Sequence, residues 1–180
     1  MIKHLVSIVA CCCVATGQAA AQQAPAEPTP MATNPYAPYE WLIGDWYSTT
    51  GPERLHQRLT YGPNRSYIQY STFNAAQGKP EKLHFEGVMV WNGKSNALDY
   101  VFAVEPGTGV QEKGTVQAQP DGSVVREVEF TSPTGRIAHF RQRFWRESDL
   151  VFTSLQRQVA TGWEFNFPGS DKIAMSRKPL

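Results

Sequence analysis

Gly- and Pro-rich breaks recur along this chain: Gly51-Pro52, Gly62-Pro63-Asn64, Gly78-Lys79-Pro80, Asn92-Gly93, Pro106-Gly107, Pro120-Asp121-Gly122, Pro133-Thr134-Gly135 and Pro168-Gly169. Between them lie runs rich in Val, Ile, Phe, Tyr, Trp and Thr that alternate with period two, the pattern of strands with one buried face. Only Pro38 to Ile43 offers a short helical turn, and no 3.6-residue stripe of useful length follows it. The spacing predicts about ten strands over roughly 135 residues. Connections this short exclude parallel pairing, which needs long crossovers. A meander of that length hides its edges by closing. The expected fold is all-β: a closed or nearly closed antiparallel up-and-down barrel of about ten strands with a short N-terminal helical turn. Five Trp, seven Tyr and nine Phe supply the bulk for its core.

The turns also predict a register. Pro133-Thr134-Gly135 fits a three-residue hairpin loop with Gly135 in the left-handed conformation. Glu127 then lies opposite Arg141 and Glu129 opposite His139, on a solvated face. The other face pairs Val124, Arg126, Val128 and Phe130 with Phe144, Gln142, Phe140 and Ala138. The same treatment of Pro120-Asp121-Gly122 sets Lys113 against Glu129 outside and turns Val116 and Ala118 inward. Extension to Leu98, Tyr100, Phe102 and Val104 keeps one face apolar, as a correct register must. One strand earlier, Phe85, Gly87, Met89 and Trp91 point in, while His84 and Glu86 point out. For Leu150 to Val159 both faces are mixed and neither is chosen.

The N-terminus reads as an address. Lys3 precedes a ten-residue apolar run, Leu5 to Val14, and Ala19-Ala20-Ala21 presents the small residues that a signal peptidase reads. The run is shorter than the roughly 20 residues of a spanning helix. Residues 1–21 are therefore expected to be a signal peptide, which places the mature chain in the periplasm or outside the cell. Ile8-Val9-Ala10-Cys11 leaves a lipoprotein anchored at Cys11 as the alternative. Residues 22–34, rich in Ala, Gln and Pro, read as a tether, and 35–180 as a single barrel domain. All three cysteines fall within the leader, so the mature chain is expected to have no disulfide, thiol nucleophile or thiolate metal site.

Charge and motifs narrow the functional classes. Seventeen Lys+Arg against sixteen Asp+Glu give a formal net charge of +1, with no basic stripe for nucleic acid. No phosphate-binding glycine loop, zinc-type spacing or nucleophile elbow is present. No cofactor, metal or catalytic residue is therefore assigned.

Trp41-Leu42-Ile43-Gly44-Asp45-Trp46 opens the barrel and Met175-Ser176-Arg177-Lys178-Pro179 closes it. Together these resemble the calycin superfamily of lipocalins and fatty-acid-binding proteins, nearest to secreted bacterial proteins of the DUF1579-like kind, whose function is unknown. The resemblance implies that Gly44 and Trp46 form the Gly-x-Trp of the first strand, with Arg177 lying over the indole at the closed end. It also implies a ligand-binding lumen without naming a ligand. The proximal histidine of haem-binding barrels has no counterpart after His139.

Within the predicted lumen, Arg126 and Gln142 stand side by side on an otherwise apolar face, near Tyr100. A buried guanidinium needs an acid, water or an anionic ligand, and Arg suits a carboxylate. A lipid acid or similar amphiphile would meet that need, its tail against Phe102, Phe130, Phe140 and Phe144. An internal pair with Glu112 is the competing account. His84 with Glu86, and His139 with Glu129, have spacings suited to a metal or to acid–base work, yet fall on the outer face. Asp45 points away from Trp46 and reads as turn-capping or solvent-facing. His56 has no acid near it in sequence and carries no signal.

The expected function is to hold a small hydrophobic or amphiphilic molecule in the lumen. An enzyme of cyclase, isomerase or hydratase type using Glu112 and Tyr100 is one alternative. An envelope protein with a filled core, acting through its surface, is the other.

Overall fold

The computed structural model describes residues 34–50, 53–76 and 78–179. The leader reading of 1–21, the Cys11 alternative and the tether up to residue 33 lie outside the described residues. A 3-10 turn over Ala37–Leu42 leads into eleven strands: β1 Gly44–Thr50, β2 Glu53–Tyr61, β3 Ile68–Ala76, β4 Lys82–Asn92, β5 Ala97–Val104, β6 Val110–Ala118, β7 Val124–Thr131, β8 Ile137–Glu147, β9 Leu150–Val159, β10 Gly162–Phe165 and β11 Ile173–Met175. Each of β1 to β9 pairs antiparallel with the next, and β11 returns to β9 beside β10. Among the described residues no helix is long and apolar enough to cross a membrane.

The tenth strand position is split. β11 pairs with Val151–Thr153 and β10 with Gln156–Val159, along one edge of β9. Residues 166–172 bulge between them, held by bonds from Leu155 N to Ser170 O (2.8 Å) and from Asn166 N to Leu155 O (3.0 Å). Immediately after β11, Ser176 exchanges two backbone hydrogen bonds with Tyr47 of β1, at 2.7 and 2.8 Å. That bridge joins the first strand to the last at one end of the curled, barrel-like all-β sheet.

The two hairpins from β6 to β8 follow from their turns. Gly135 adopts φ 77°, which a residue with a side chain rarely does, and Gly135 N bonds Ser132 O. The resulting register sets Arg126 opposite Gln142, Glu127 opposite Arg141 and Lys113 opposite Glu129. On β5, Leu98, Tyr100, Phe102 and Val104 are buried while Asp99, Val101 and Ala103 face out, a clean period of two. On β4 a bulge breaks that rule. Thr72 pairs with Phe85 and Phe73 with Leu83, so the register passes over His84. His84 thereby reaches the barrel rim instead of the outer face expected for it. On β9, Val151 and Thr153 point inward opposite the level of Phe144, whereas the buried Phe152 packs outside against Trp145.

One end of the barrel is plugged. Tyr36 and Tyr39 of the N-terminal turn insert beneath it. The Tyr36 hydroxyl donates to Ser66 O and accepts from Trp91 N; the Tyr39 hydroxyl donates to Val116 O and accepts from Ala118 N. Trp46 lies above them and donates Nε1–H to Leu42 O at 2.8 Å. The Arg177 guanidinium sits 3.5 Å over the Trp46 ring and donates to Ile43 O and Trp41 O at 2.7 and 2.8 Å. Gly44, at φ 113°, admits that guanidinium, because a Cβ there would lie 2.5 Å from Arg177 Nη1. Leu59, Ile68, Leu98, Val116, Val124 and Phe144 complete this apolar end.

Candidate functional site

Above the plug, strand alternation turns polar side chains into the lumen. Gln57 of β2, Tyr70 of β3, Arg126 of β7, Gln142 of β8 and Thr153 of β9 all surround a cavity of about 310 Å³. Leu55, Phe85, Phe130, Phe140, Leu155 and Phe167 supply most of its apolar wall. Gln57, Tyr70 and Arg126 also roof a small void of about 20 Å³ among Trp46, Leu59, Val116 and Phe144. These three residues are therefore the floor of the cavity. The mouth opens at the other end, beside Glu53, Asn74, His84 and the 166–172 segment.

Arg126 is not alone. Its Nη1 donates to the Tyr100 hydroxyl at 2.6 Å, and that hydroxyl donates to Glu112 Oε2 at 2.9 Å. Guanidinium and carboxylate stand 3.8 Å apart, their side chains 11% and 5% exposed. Burial opposes the charge on Arg126, but the Tyr100 hydroxyl and the Glu112 carboxylate outweigh it and hold the group firmly protonated. Burial raises the Tyr100 phenol well above its ordinary value, against the pull of Arg126, so it remains a neutral donor. Tyr70 is raised for the same first reason. Beside the floor, the Arg126 and Glu112 charges thus compensate each other. Of the two accounts open for Arg126 in sequence, an anionic ligand or an internal pair with Glu112, the structure contains the internal pair.

Of the residues singled out in sequence, Arg126, Gln142, Phe130 and Phe140 line the cavity. Tyr100 and Phe102 point inward but lie behind its surface. They stack on each other at 3.9 Å, and Tyr70 packs edge-on against Phe102. Tyr100 has both its hydroxyl contacts filled, which places it in the wall rather than against a ligand. Phe144 sits below the floor, on the closed-end void.

Buried polar atoms without a partner concentrate here. Among the described residues these are Gln57 Oε1, Tyr61 Oη, Asn74 Oδ1, Arg126 Nε and Gln142 Oε1; all but Tyr61 belong to residues that line the cavity. Such atoms are costly unless something satisfies them. Gln142 spends its amide nitrogen on Thr153 Oγ1 at 3.0 Å, leaving the oxygen over. Gln57, Asn74 and Thr153 were missed in sequence because no register was proposed for β2 and β3 and no face for β9. The alternation Leu55, Gln57, Leu59 was the available signal.

Elsewhere the expected pairs separate. His84 Nδ1 lies 3.6 Å from Glu105, while Glu86 accepts from Gln69. Glu129 binds Lys113 rather than His139. Among the described residues no group of three or more His, Cys, Asp or Glu side chains is placed to hold a metal. Asp45 and His56, by contrast, meet on the outer face. His56 is sandwiched between Tyr47 and Phe73, with Nε2 2.7 Å from Asp45 and Nδ1 2.9 Å from Glu81. Asp45 also accepts from Arg58 at 2.7 Å. The bonds from Arg58 and then His56 hold its carboxyl below the usual range. Glu81 lies 25 residues from His56, which is why sequence proximity gave no hint of this cluster.

Comparison of the chain with family models, with curated proteins and with solved structures returns no match.

Proposed function

We propose that this chain is a secreted or periplasmic small-molecule-binding barrel of calycin type, which holds a mostly apolar ligand in its lumen. The observation that carries the reading is the cavity of about 310 Å³, apolar on its walls and bordered by four residues with unpaired buried polar atoms. Ligand sites are concave, largely apolar and furnished with a few polar groups that fix orientation; small barrels enclose one ligand in this way. A core filled by side chains would leave no such volume. The enzyme alternative has less support, because Tyr100, one of its expected pair with Glu112, is engaged on both sides and does not line the cavity.

Native mass spectrometry of the full chain, expressed with its own leader and purified from a bacterial periplasm without detergent, tests the proposal. A stoichiometric small-molecule adduct is expected. It should vanish in Leu155→Trp, which fills the lumen and leaves Arg126, Tyr100 and Glu112 unsubstituted. A clean apo mass that a panel of small apolar molecules does not shift contradicts it.

A further inference from the structure

We infer that the lumen selects a compact, uncharged molecule of roughly twelve non-hydrogen atoms, scaled from a 150 Å³ cavity that holds one benzene, with a polar end that both donates and accepts hydrogen bonds. The inference rests on the small-molecule reading above and names its ligand class. Size comes first. About 310 Å³ is the low end of ligand pockets, and on the same scale palmitate needs roughly 450 Å³. A long-chain acid, a haem or an isoprenoid quinone could not be enclosed in that space.

Charge comes second. Arg126 would invite an anion, but Glu112 lines the same cavity and already balances it through Tyr100. A ligand carboxylate brought to the floor would add a second negative charge beside Glu112, where low polarity strengthens the repulsion. A ligand cation meets the mirror problem at Arg126. An uncharged head leaves the existing balance intact.

Polarity comes third. Arg126, Gln57 and Gln142 border the cavity and each carry an unpaired buried atom; the guanidinium offers only donors, while either amide can turn an oxygen or its NH₂ toward the lumen. A primary amide, or a hydroxyl beside a carbonyl, is the head group that meets both kinds. Arg126 and Gln57 form the floor while Phe130, Phe140 and Leu55 stand nearer the mouth, so the head points down and the apolar body fills the upper lumen.

The test uses one skeleton with three ends. Naphthalene-2-carboxamide, 2-naphthoate, naphthalene and, as the long control, palmitate are titrated into the full chain at pH 7 by calorimetry. The carboxamide should bind at least tenfold more tightly than 2-naphthoate or naphthalene, and palmitate should not bind stoichiometrically. Glu112→Gln, which leaves Arg126 unbalanced, should shift the ratio toward 2-naphthoate by at least tenfold, whereas Glu112→Asp should keep the native order. Should Glu112→Gln fail to fold, the native ranking decides. Binding led by 2-naphthoate or palmitate overturns the inference and leaves the carrier reading standing. Failure of all four to bind overturns the inference, and together with a clean apo mass it overturns the carrier reading as well.

Discussion

Glu112→Gln is the substitution whose outcome the lumen geometry fixes most sharply. The side chain is nearly isosteric and still offers an oxygen to the Tyr100 hydroxyl. What it removes is the charge that balances Arg126, 3.8 Å away with both groups largely out of water. Removing one partner of a buried pair costs about 3–5 kcal/mol, since the remaining charge stays buried without compensation. Water in the adjoining cavity relieves part of that, so the lower figure applies, about 3 kcal/mol. For a chain of this size that lowers Tm by roughly 6–12 °C. The double substitution Glu112→Gln with Arg126→Met removes both charges, and replacing a whole buried pair by groups of similar volume is often neutral. It should therefore recover to within about 1 kcal/mol of the native chain. Urea unfolding at pH 7, followed by circular dichroism, reads both as midpoint shifts at constant m. A single variant as stable as the native chain, or a double variant that loses the sum of the two singles, refutes a coupled pair.

Three further outcomes follow from the same structure. Tyr70 and Tyr100 have folded phenol values raised by burial, so their contribution is complete below the ordinary value near about 10 and is lost as pH rises through the raised one; absorbance at high pH should show both ionising only as the barrel unfolds, and early ionisation of every tyrosine contradicts this. Asp45 has a depressed carboxyl, so its contribution is present above about pH 4 and lost as pH falls through the lower folded value; Asp45→Asn should flatten the acid limb of a stability–pH curve, and an unchanged limb excludes the His56–Arg58 account. Arg177→Met removes two hydrogen bonds to Ile43 and Trp41 and the cation over Trp46; because the guanidinium is exposed on one side, about 1–2 kcal/mol is expected, together with faster hydrogen exchange at the closed end, and no change in either would count against it.

How much of this was legible beforehand depended on the turns. Pro120-Asp121-Gly122 and Pro133-Thr134-Gly135 each leave one backbone solution, so the facing of Arg126, Gln142 and Glu127 follows from local chemistry alone. Where the loops are longer or less specific, alternation loses its anchor. That is why Gln57, Tyr70 and Thr153, three of the five polar residues that surround the lumen, went unassigned. The bulge at His84 inserts one residue that no pattern marks, and it moves a histidine to the rim. The split of the last strand was visible only as Pro168-Gly169, because what stabilises it is the wholly buried Ser170, whose hydroxyl bonds Leu155 O and Phe167 N. The pairing of Glu112 with Arg126 was among the arrangements open in sequence; the Tyr100 hydroxyl that joins them depends on three strands meeting at one depth.

The cavity itself is the claim on which everything functional depends, and a crystal structure of the detergent-free protein tests it most directly. The account predicts density beyond ordered water on the floor formed by Arg126 and Gln57, bounded above by Leu55, Phe130 and Phe140. A lumen closed by those same side chains, with Gln57, Asn74 and Gln142 satisfied by one another and no space left, would contradict it.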